Sequence, residues 1–210
     1  MVEEVSTHYQ DTTATKTIFK LTKKTRAVSG GTSASKTISI LIWLIDYGMA
    51  TKDKIVTIVG ESVPHLNLGA KRDFKNIMVA NGYWDDSRWS EAGVYTFKDG
   101  TIIEFISFDK FGKAHGPRRD VLFLNEANYL PYNIADQLIT RTRSVVWLDW
   151  NPSGEFWFYT EMLNQRALDF VGDGGNYPPL TYHDNEALDQ ASIDEIEAHT
   201  NPQWRKVYIE

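Results

Sequence analysis

The sequence predicts an α/β fold with a mostly parallel central sheet, flanked by helices and carrying one antiparallel β-hairpin. Three observations predict it. Three short apolar runs, 54–60 (KIVTIVG), 120–124 (DVLFL) and 145–149 (VVWLD), read as strands buried on both faces. Stretches of helical spacing alternate with them, as crossovers between parallel strands require. Residues 93–108 (GVYTFKDGTIIEFISF) place Asp99-Gly100 between two alternating runs, which is a hairpin pattern.

Each element follows in chain order. Residues 1–15 read as a loose leader and 17–22 (TIFKLT) as a short strand, so 1–24 is expected to hold a leader and a first strand. Residues 25–29 (TRAVS) form a second strand that runs into Gly30-Gly31, and a helix follows from Ser35 to Tyr47. Pro64 to Ala80 has helical spacing, with Leu66, Leu68, Phe74, Ile77 and Met78 apolar and Lys71, Arg72 and Lys75 solvated. Ile134 to Arg143 and Glu155 to Gln165 read as helices on either side of strand 145–149, and 167–171 as a last strand. Helices over Ser192–His199 and Gln203–Ile209 close the chain. With breakers spread out and no repeat, residues 25–190 are expected to form one core and 191–210 a helical segment. The chain stops on a helical stretch without a capping glycine, which suggests a fragment boundary.

Composition narrows the function classes. The 210 residues carry 28 acidic and 22 basic side chains, a formal charge of −6, which argues against a diffusely basic nucleic-acid coat. No apolar run approaches the roughly 20 residues that span a bilayer, and the polar N-terminus lacks the pattern of a signal peptide. With no cysteine, thiolate catalysis, disulfides and thiolate-held metals are excluded. The five histidines are too dispersed for metal-site spacing. A soluble intracellular protein is the expectation.

The strongest chemical signal is Gly30-Gly31-Thr32-Ser33-Ala34-Ser35-Lys36-Thr37. It matches the phosphate-binding loop G-x-x-x-x-G-K-[ST], except that Ser35 stands where the last glycine belongs. In such a loop, successive N–H groups and a helix N-terminus point at phosphates. Lys36 is then expected to reach the β- and γ-phosphates of ATP, and the Thr37 hydroxyl to ligate Mg²⁺. A Gly-Ser turn that merely caps a helix, with Ser35 as N-cap and Lys36 solvated, fits the same eight residues.

A second element separates these readings. The apolar run Val121-Leu122-Phe123-Leu124 ends in Asn125-Glu126 about ninety residues downstream. ATPases that hydrolyse with a strand-borne glutamate carry four apolar residues and then Asp-Glu at this point. Glu126 is therefore the candidate catalytic carboxylate, and Asn125 a weaker, uncharged holder of a metal-bound water. A third element, Val145 to Gly154 (VVWLDWNPSG), ends a buried strand in Asp149 and Asn151 at the edge where ligands sit in open α/β sheets. These two are candidates to sense the γ-phosphate and relay its loss, and Asn-Pro-Ser-Gly also fits a plain strand–helix turn.

Together these residues resemble the ATPase domain of the large terminase subunit, the genome-packaging motor of tailed double-stranded DNA bacteriophages. The resemblance runs from about Lys24 to Glu210. It rests on AVSGGTSASKTISILIWLIDY, HGPRRDVLFLNEANYLP, VVWLDWNPSGEFWFYTEML, and TYHDN followed by a helix and PQWRKVY. It implies a P-loop NTPase fold of the RecA-like, additional-strand class and hydrolysis of ATP with Mg²⁺. The implied partners are double-stranded DNA, the portal protein and procapsid, and the small terminase subunit, met in the cytoplasm of the host. It also implies a homo-oligomeric ring when assembled and a monomer in isolation. Asp149–Asn151 resembles the family's coupling motif.

The family's usual Arg-Gly pair falls at His115-Gly116, and its other usual arginine at Thr32. Both arginine-finger positions are vacant, which leaves Arg118 and Arg119 as nearest substitutes and Arg141 and Arg143 as weaker ones. Gln10 and Phe19 are guesses for adenine contact. Large terminases also carry a nuclease domain with clustered acidic residues, which this sequence lacks, so nuclease activity is not expected. Two other classes fit parts of the pattern. A small-molecule phosphotransferase would want an arginine-rich lid, and none is evident. A degenerate nucleotide-binding scaffold is suggested by Ser35 and Asn125. The basic groups Lys23, Lys24, Arg26 and Lys71, Arg72, Lys75 read either as solvated faces or as a local lining for DNA.

Overall fold

A computed structural model of the chain describes residues 11–108, 118–202, 204, 205 and 209. Its centre is an eight-stranded sheet of order β3-β4-β5-β2-β6-β7-β1-β8. The strands are β1 (Thr25–Ser29), β2 (Ile55–Gly60), β3 (Trp89–Ser90), β4 (Val94–Thr96), β5 (Ile102–Ser107), β6 (Arg119–Leu124), β7 (Thr142–Trp150) and β8 (Leu168–Val171). From β5 to β8 in that order every neighbour is parallel, while β3-β4 and β4-β5 are antiparallel. Parallel strands bring their carboxyl ends to one edge, and that edge carries the site.

The apolar runs are continuous because both sheet faces are covered. Val28, Val56, Ile58, Val121, Phe123 and Trp147 face one core, shared with Ile40, Leu41 and Leu44 of helix α2 (Lys36–Ala50) and Phe74 of α4 (Ala70–Ala80). Their strand neighbours Ala27, Val59, Leu122, Leu124, Val146, Leu148 and Trp150 face a second core. That one is shared with Leu138 of α5 (Tyr132–Thr140) and with Phe158 and Phe170. The remaining helices are α1 (Thr13–Phe19), α3 (Val63–Leu68) and α6 (Gln190–Glu197).

Most expected elements are present, including the Asp99-Gly100 hairpin, whose turn glycine has φ +80°. Three differ. Residues 17–22 do not pair as a strand. Thr12 caps α1 by accepting from the Thr15 N–H, and Ala14, Thr15 and Ile18 bury one helical face against α2, so the described part of the expected leader, 11–15, is not loose, and 17–19 is helical. The stretch from Pro64 to Ala80 is two helices, because Gly69 (φ −112°, ψ −116°) leaves the helical region between α3 and α4. The segment 155–165 is not an ordinary helix: Phe158–Met162 is π-helical, with the Leu163 N–H donating to Phe158 O at 3.0 Å. Its aromatics Phe156, Phe158 and Tyr159 crowd round Trp150, and the wider turn accommodates that cluster. The helix expected over Gln203–Ile209 lies largely outside the described residues.

Candidate active site

The loop after β1 is shaped by backbone constraints. A Cβ on Gly30 would sit 2.4 Å from Leu180 O, so only glycine lets that carbonyl approach. The next N–H, of Gly31, donates to the same oxygen at 3.1 Å. Ser33 (φ 63°) and Ser35 (φ 59°) both adopt the left-handed conformation, at about 1 kcal/mol each for a non-glycine residue. Ser35 occupies the N-cap position of α2, but its side chain makes no cap hydrogen bond. The first N–H groups of α2 are thus not taken up by Ser35, which disfavours the plain capping turn. Thr32, Ser33, Ala34, Ser35, Lys36 and Thr37 line an open groove of about 290 Å³ together with Glu126 and Asn151.

Lys36 is drawn into the loop. Its Nζ donates to Gly30 O (2.8 Å), Gly31 O (2.7 Å) and Asn151 Oδ1 (2.9 Å). Burial pushes its pKa down to about 8, opposed by the negative charges of Asp149 and Glu126. Beside it, the Thr37 hydroxyl donates to Asp149 Oδ2 at 2.5 Å. Asp149 is 1% exposed, and its Oδ1 also accepts from the Glu126 N–H (2.8 Å) and from Asn125 Nδ2 (3.1 Å). Burial raises the Asp149 pKa, while these donors and Lys36 pull it back.

A buried carboxylate, that of Asp149, thus lies directly beside the uncharged Asn125. Parallel pairing of β6 with β7 puts Leu124 opposite Leu148, so Asp149 ends up level with Asn125 at the sheet edge. Glu126 itself is left-handed (φ 54°, ψ 56°), which turns it out of strand β6. Burial raises its pKa; His65, which lies 3.2 Å away from Nε2 to Oε2, lowers it, and Asp149 raises it further. His65 comes from α3, just after β2, and its Nδ1 lies 3.7 Å from Glu61.

Glu126, Lys36, Thr37, Asn125, Asp149 and Asn151 thus converge, as the motif spacing suggested. The arginines do not join them. Arg119 is buried at the amino end of β6, seven residues before Glu126 or about 20 Å along an extended strand, so it cannot reach this site. Arg118 is exposed beside it, at the same far edge. Arg141 and Arg143 flank the start of β7, also at that edge. His115-Gly116 and Gln10 lie outside the described residues. Phe19 lines a different groove, with Asp11, Lys16 and Ile42. Arg26 is no part of a solvated patch: its guanidinium stands 5.0 Å from the rings of both Trp43 and Trp147. Lys71 and Lys75 cover Trp89 and Trp84.

Two groups at the site were not anticipated. His65 has no sequence signal beyond following a strand by five residues. Asn185, within TYHDN, donates from Nδ2 to Ser33 O at 2.8 Å.

No protein-family model matches the chain, and no curated protein matches it. Solved structures do. The large terminase from a thermophilic bacteriophage aligns at 20% identity with a TM-score of 0.71, over 89% of this chain and 48% of that one. The same protein in complex with ADP aligns at 20% identity and a TM-score of 0.68, over 87% and 46%. The large terminase ATPase domain of Thermus phage P74-26 aligns at 14% identity and a TM-score of 0.62, over 93% and 91%. The chain therefore has the P-loop fold of large-terminase ATPase domains, and it spans about half the length of the first of these large terminases.

Proposed function

We propose that the chain is an ATP-hydrolysing motor domain of a phage large terminase, acting on double-stranded DNA with the portal and procapsid, the small subunit and further copies of itself in the host cytoplasm. The observation that carries the reading is the convergence of Lys36, Thr37, Asp149 and Glu126 on one groove beside the phosphate loop. A capping turn or a scaffold has no use for a half-buried glutamate, a buried carboxylate and a buried lysine in one place.

The residues divide the work. Lys36 exchanges its carbonyl partners for phosphate oxygens, so the loop is relieved of a tethered cation as the triphosphate enters. Thr37 and Asp149 would hold Mg²⁺, which prefers one or two carboxylates plus phosphate over an all-protein cage, and Asn125 steadies the Asp149 carboxylate through Nδ2. When bound, the ion neutralises phosphate charge. Glu126 orients a water and takes its proton, and the raised pKa makes it a better base than an ordinary surface glutamate. Asn151 touches Lys36 directly, so loss of the γ-phosphate is felt at the end of β7. From there Trp157, whose Nε1 donates to Leu130 O at 2.7 Å, ties the segment after β7 to the segment after Glu126. The finger remains to be supplied by an arginine outside the described site, Arg118 of a neighbouring copy being the exposed candidate.

The test is turnover of Mg-ATP to ADP and phosphate with no phosphoryl acceptor, with and without double-stranded DNA. Acceptor-free hydrolysis that DNA stimulates supports the reading. Conversion of ATP to ADP only with a small-molecule acceptor, which carries the phosphoryl group in place of released phosphate, supports a phosphotransferase and overturns it.

A further inference from the structure

The sheet order assigns a direction to the bound nucleotide. Glu126, Asp149 and Asn151 follow β6 and β7, on one flank of β1, while β8 lies on the other. A triphosphate whose terminal phosphate faces Glu126 must therefore leave its nucleoside toward the β8 flank. There the chain folds back over the phosphate loop. Leu180 O accepts from the Gly31 N–H (3.1 Å), and Asn185 Nδ2 donates to Ser33 O (2.8 Å). Glu186 accepts from the Thr13 N–H (2.8 Å) and hydroxyl (2.5 Å), which pins this strap to α1. The strap is also held internally. Asp184 accepts from the Thr181 N–H at 2.8 Å, and the Leu188 N–H donates to Asn185 O at 3.1 Å. Asn185 and Leu188 line the same groove as Ser33, Ser35 and Ile38.

We infer that residues 180–188 form the nucleoside wall of the site. Leu188 and Ile38 are the apolar surfaces against the base, and Asn185 is a positioning residue that holds Ser33 in its left-handed conformation. The inference rests on the nucleotide-binding reading above and goes beyond it by naming what recognises the part of the ligand that is not phosphate. The two roles have different signatures. A wall residue acts on ligands that carry a nucleoside, whereas a residue that shapes the phosphate loop acts on any polyphosphate.

The experiment measures dissociation constants of Mg-ATP and of Mg-tripolyphosphate by calorimetry, for the full chain and for Leu188→Ala and Asn185→Ala. The native chain is expected to bind ATP at least about tenfold more tightly than tripolyphosphate. Leu188→Ala is expected to weaken ATP about tenfold and tripolyphosphate less than twofold, and Asn185→Ala to weaken both alike. Equal affinity of the native chain for ATP and tripolyphosphate overturns the inference, and so does a Leu188→Ala change that is the same for both ligands. The native-chain comparison needs no variant to fold. Binding of neither ligand by the native chain is a separate outcome, which removes the nucleotide-binding reading and the inference with it.

Discussion

Replacing Asp149 with asparagine isolates the charge that Asn125 lacks. The carboxylate meets three donors: the Thr37 hydroxyl at 2.5 Å, the Glu126 N–H at 2.8 Å and the Asn125 amide at 3.1 Å. An asparagine there keeps one acceptor oxygen, best used by the Glu126 N–H, which cannot rotate. Its NH₂ then faces Thr37, whose hydroxyl can turn to accept instead. The packing is preserved, and the lost charge-assisted bonds, about 1.5–3 kcal/mol each, are offset by no longer burying a charge. The melting temperature is therefore expected to move by only about 2–4 °C, the shift that about 1 kcal/mol gives in a domain of this size. The function is not protected in the same way. Thr37 oxygen becomes an acceptor for protein, and the carboxylate beside it is gone. A loss of about 10–100-fold in metal affinity is the usual effect of removing a group that orients a metal or its water. The assay is a Mg²⁺ titration of ATP turnover at saturating ATP, beside a thermal melt. Asn125→Asp combined with Asp149→Asn returns the carboxylate to β6 and is expected to recover at least about tenfold of the loss. An unchanged Mg²⁺ half-saturation in folded Asp149→Asn rules out a role for this carboxylate at the metal, because Asp149 is then only a structural acceptor.

Further outcomes follow from the same geometry. Ser35→Gly removes about 1 kcal/mol of left-handed strain and adds backbone entropy of similar size, so stability and ATP affinity are expected to stay near native; a tenfold loss of affinity in a calorimetric titration contradicts this. Gly30→Ala drives a Cβ onto Leu180 O, and both atoms belong to the main chain; a destabilisation of about 1–3 kcal/mol in denaturant melts is expected, together with weakened ATP binding. Lys36 deprotonates near pH 8 in the folded chain, against 10.5 ordinarily, so the KM for ATP is expected to rise above pH 8. The sign for stability is opposite: the penalty for burying this cation is present below pH 8 and relieved as the pH rises toward 10.5. In the same profile kcat/KM, which reports the unliganded site, is expected to fall on the acid side at a pH above 4.5, the ordinary glutamate value, because Glu126 must be ionised and its pKa is raised.

The parts of the fold that were legible in the sequence are those whose signals are local and unambiguous. Runs such as VTIV and VLFL carry no charged residue and are rich in β-branched and apolar side chains, which reads as strands buried on both faces; the one hydroxyl among them, of Thr57, is buried and donates to Glu104. The loop Gly30–Thr37 was legible because Lys36-Thr37 follows a glycine pair that itself follows the short strand TRAVS. What was missed depends on contacts distant in sequence. TIFKLT alternates like a strand, yet Ile18 is buried by helical packing against α2, a choice made by the partner and not by the segment. Asp149 read as a coupling residue because nothing in its own sequence says that Thr37, 112 residues away, donates to it. His65 and Asn185 belong to the same class: each reaches the site from a connection that returns to the sheet edge. Arg119 looked available as a finger until the strand direction placed it at the opposite edge.

The proposed activity turns on Glu126, in a site built by the phosphate loop and Asp149. Its most direct test is the steady-state ATPase rate of Glu126→Gln beside the native chain, with ATP affinity measured on both. The expected result is a fall of about 10²-fold or more in rate, roughly 3 kcal/mol in barrier, at an affinity within a few-fold of native. An unchanged rate with ATP still bound contradicts it, because the carboxylate at the end of β6 then takes no part in the chemistry.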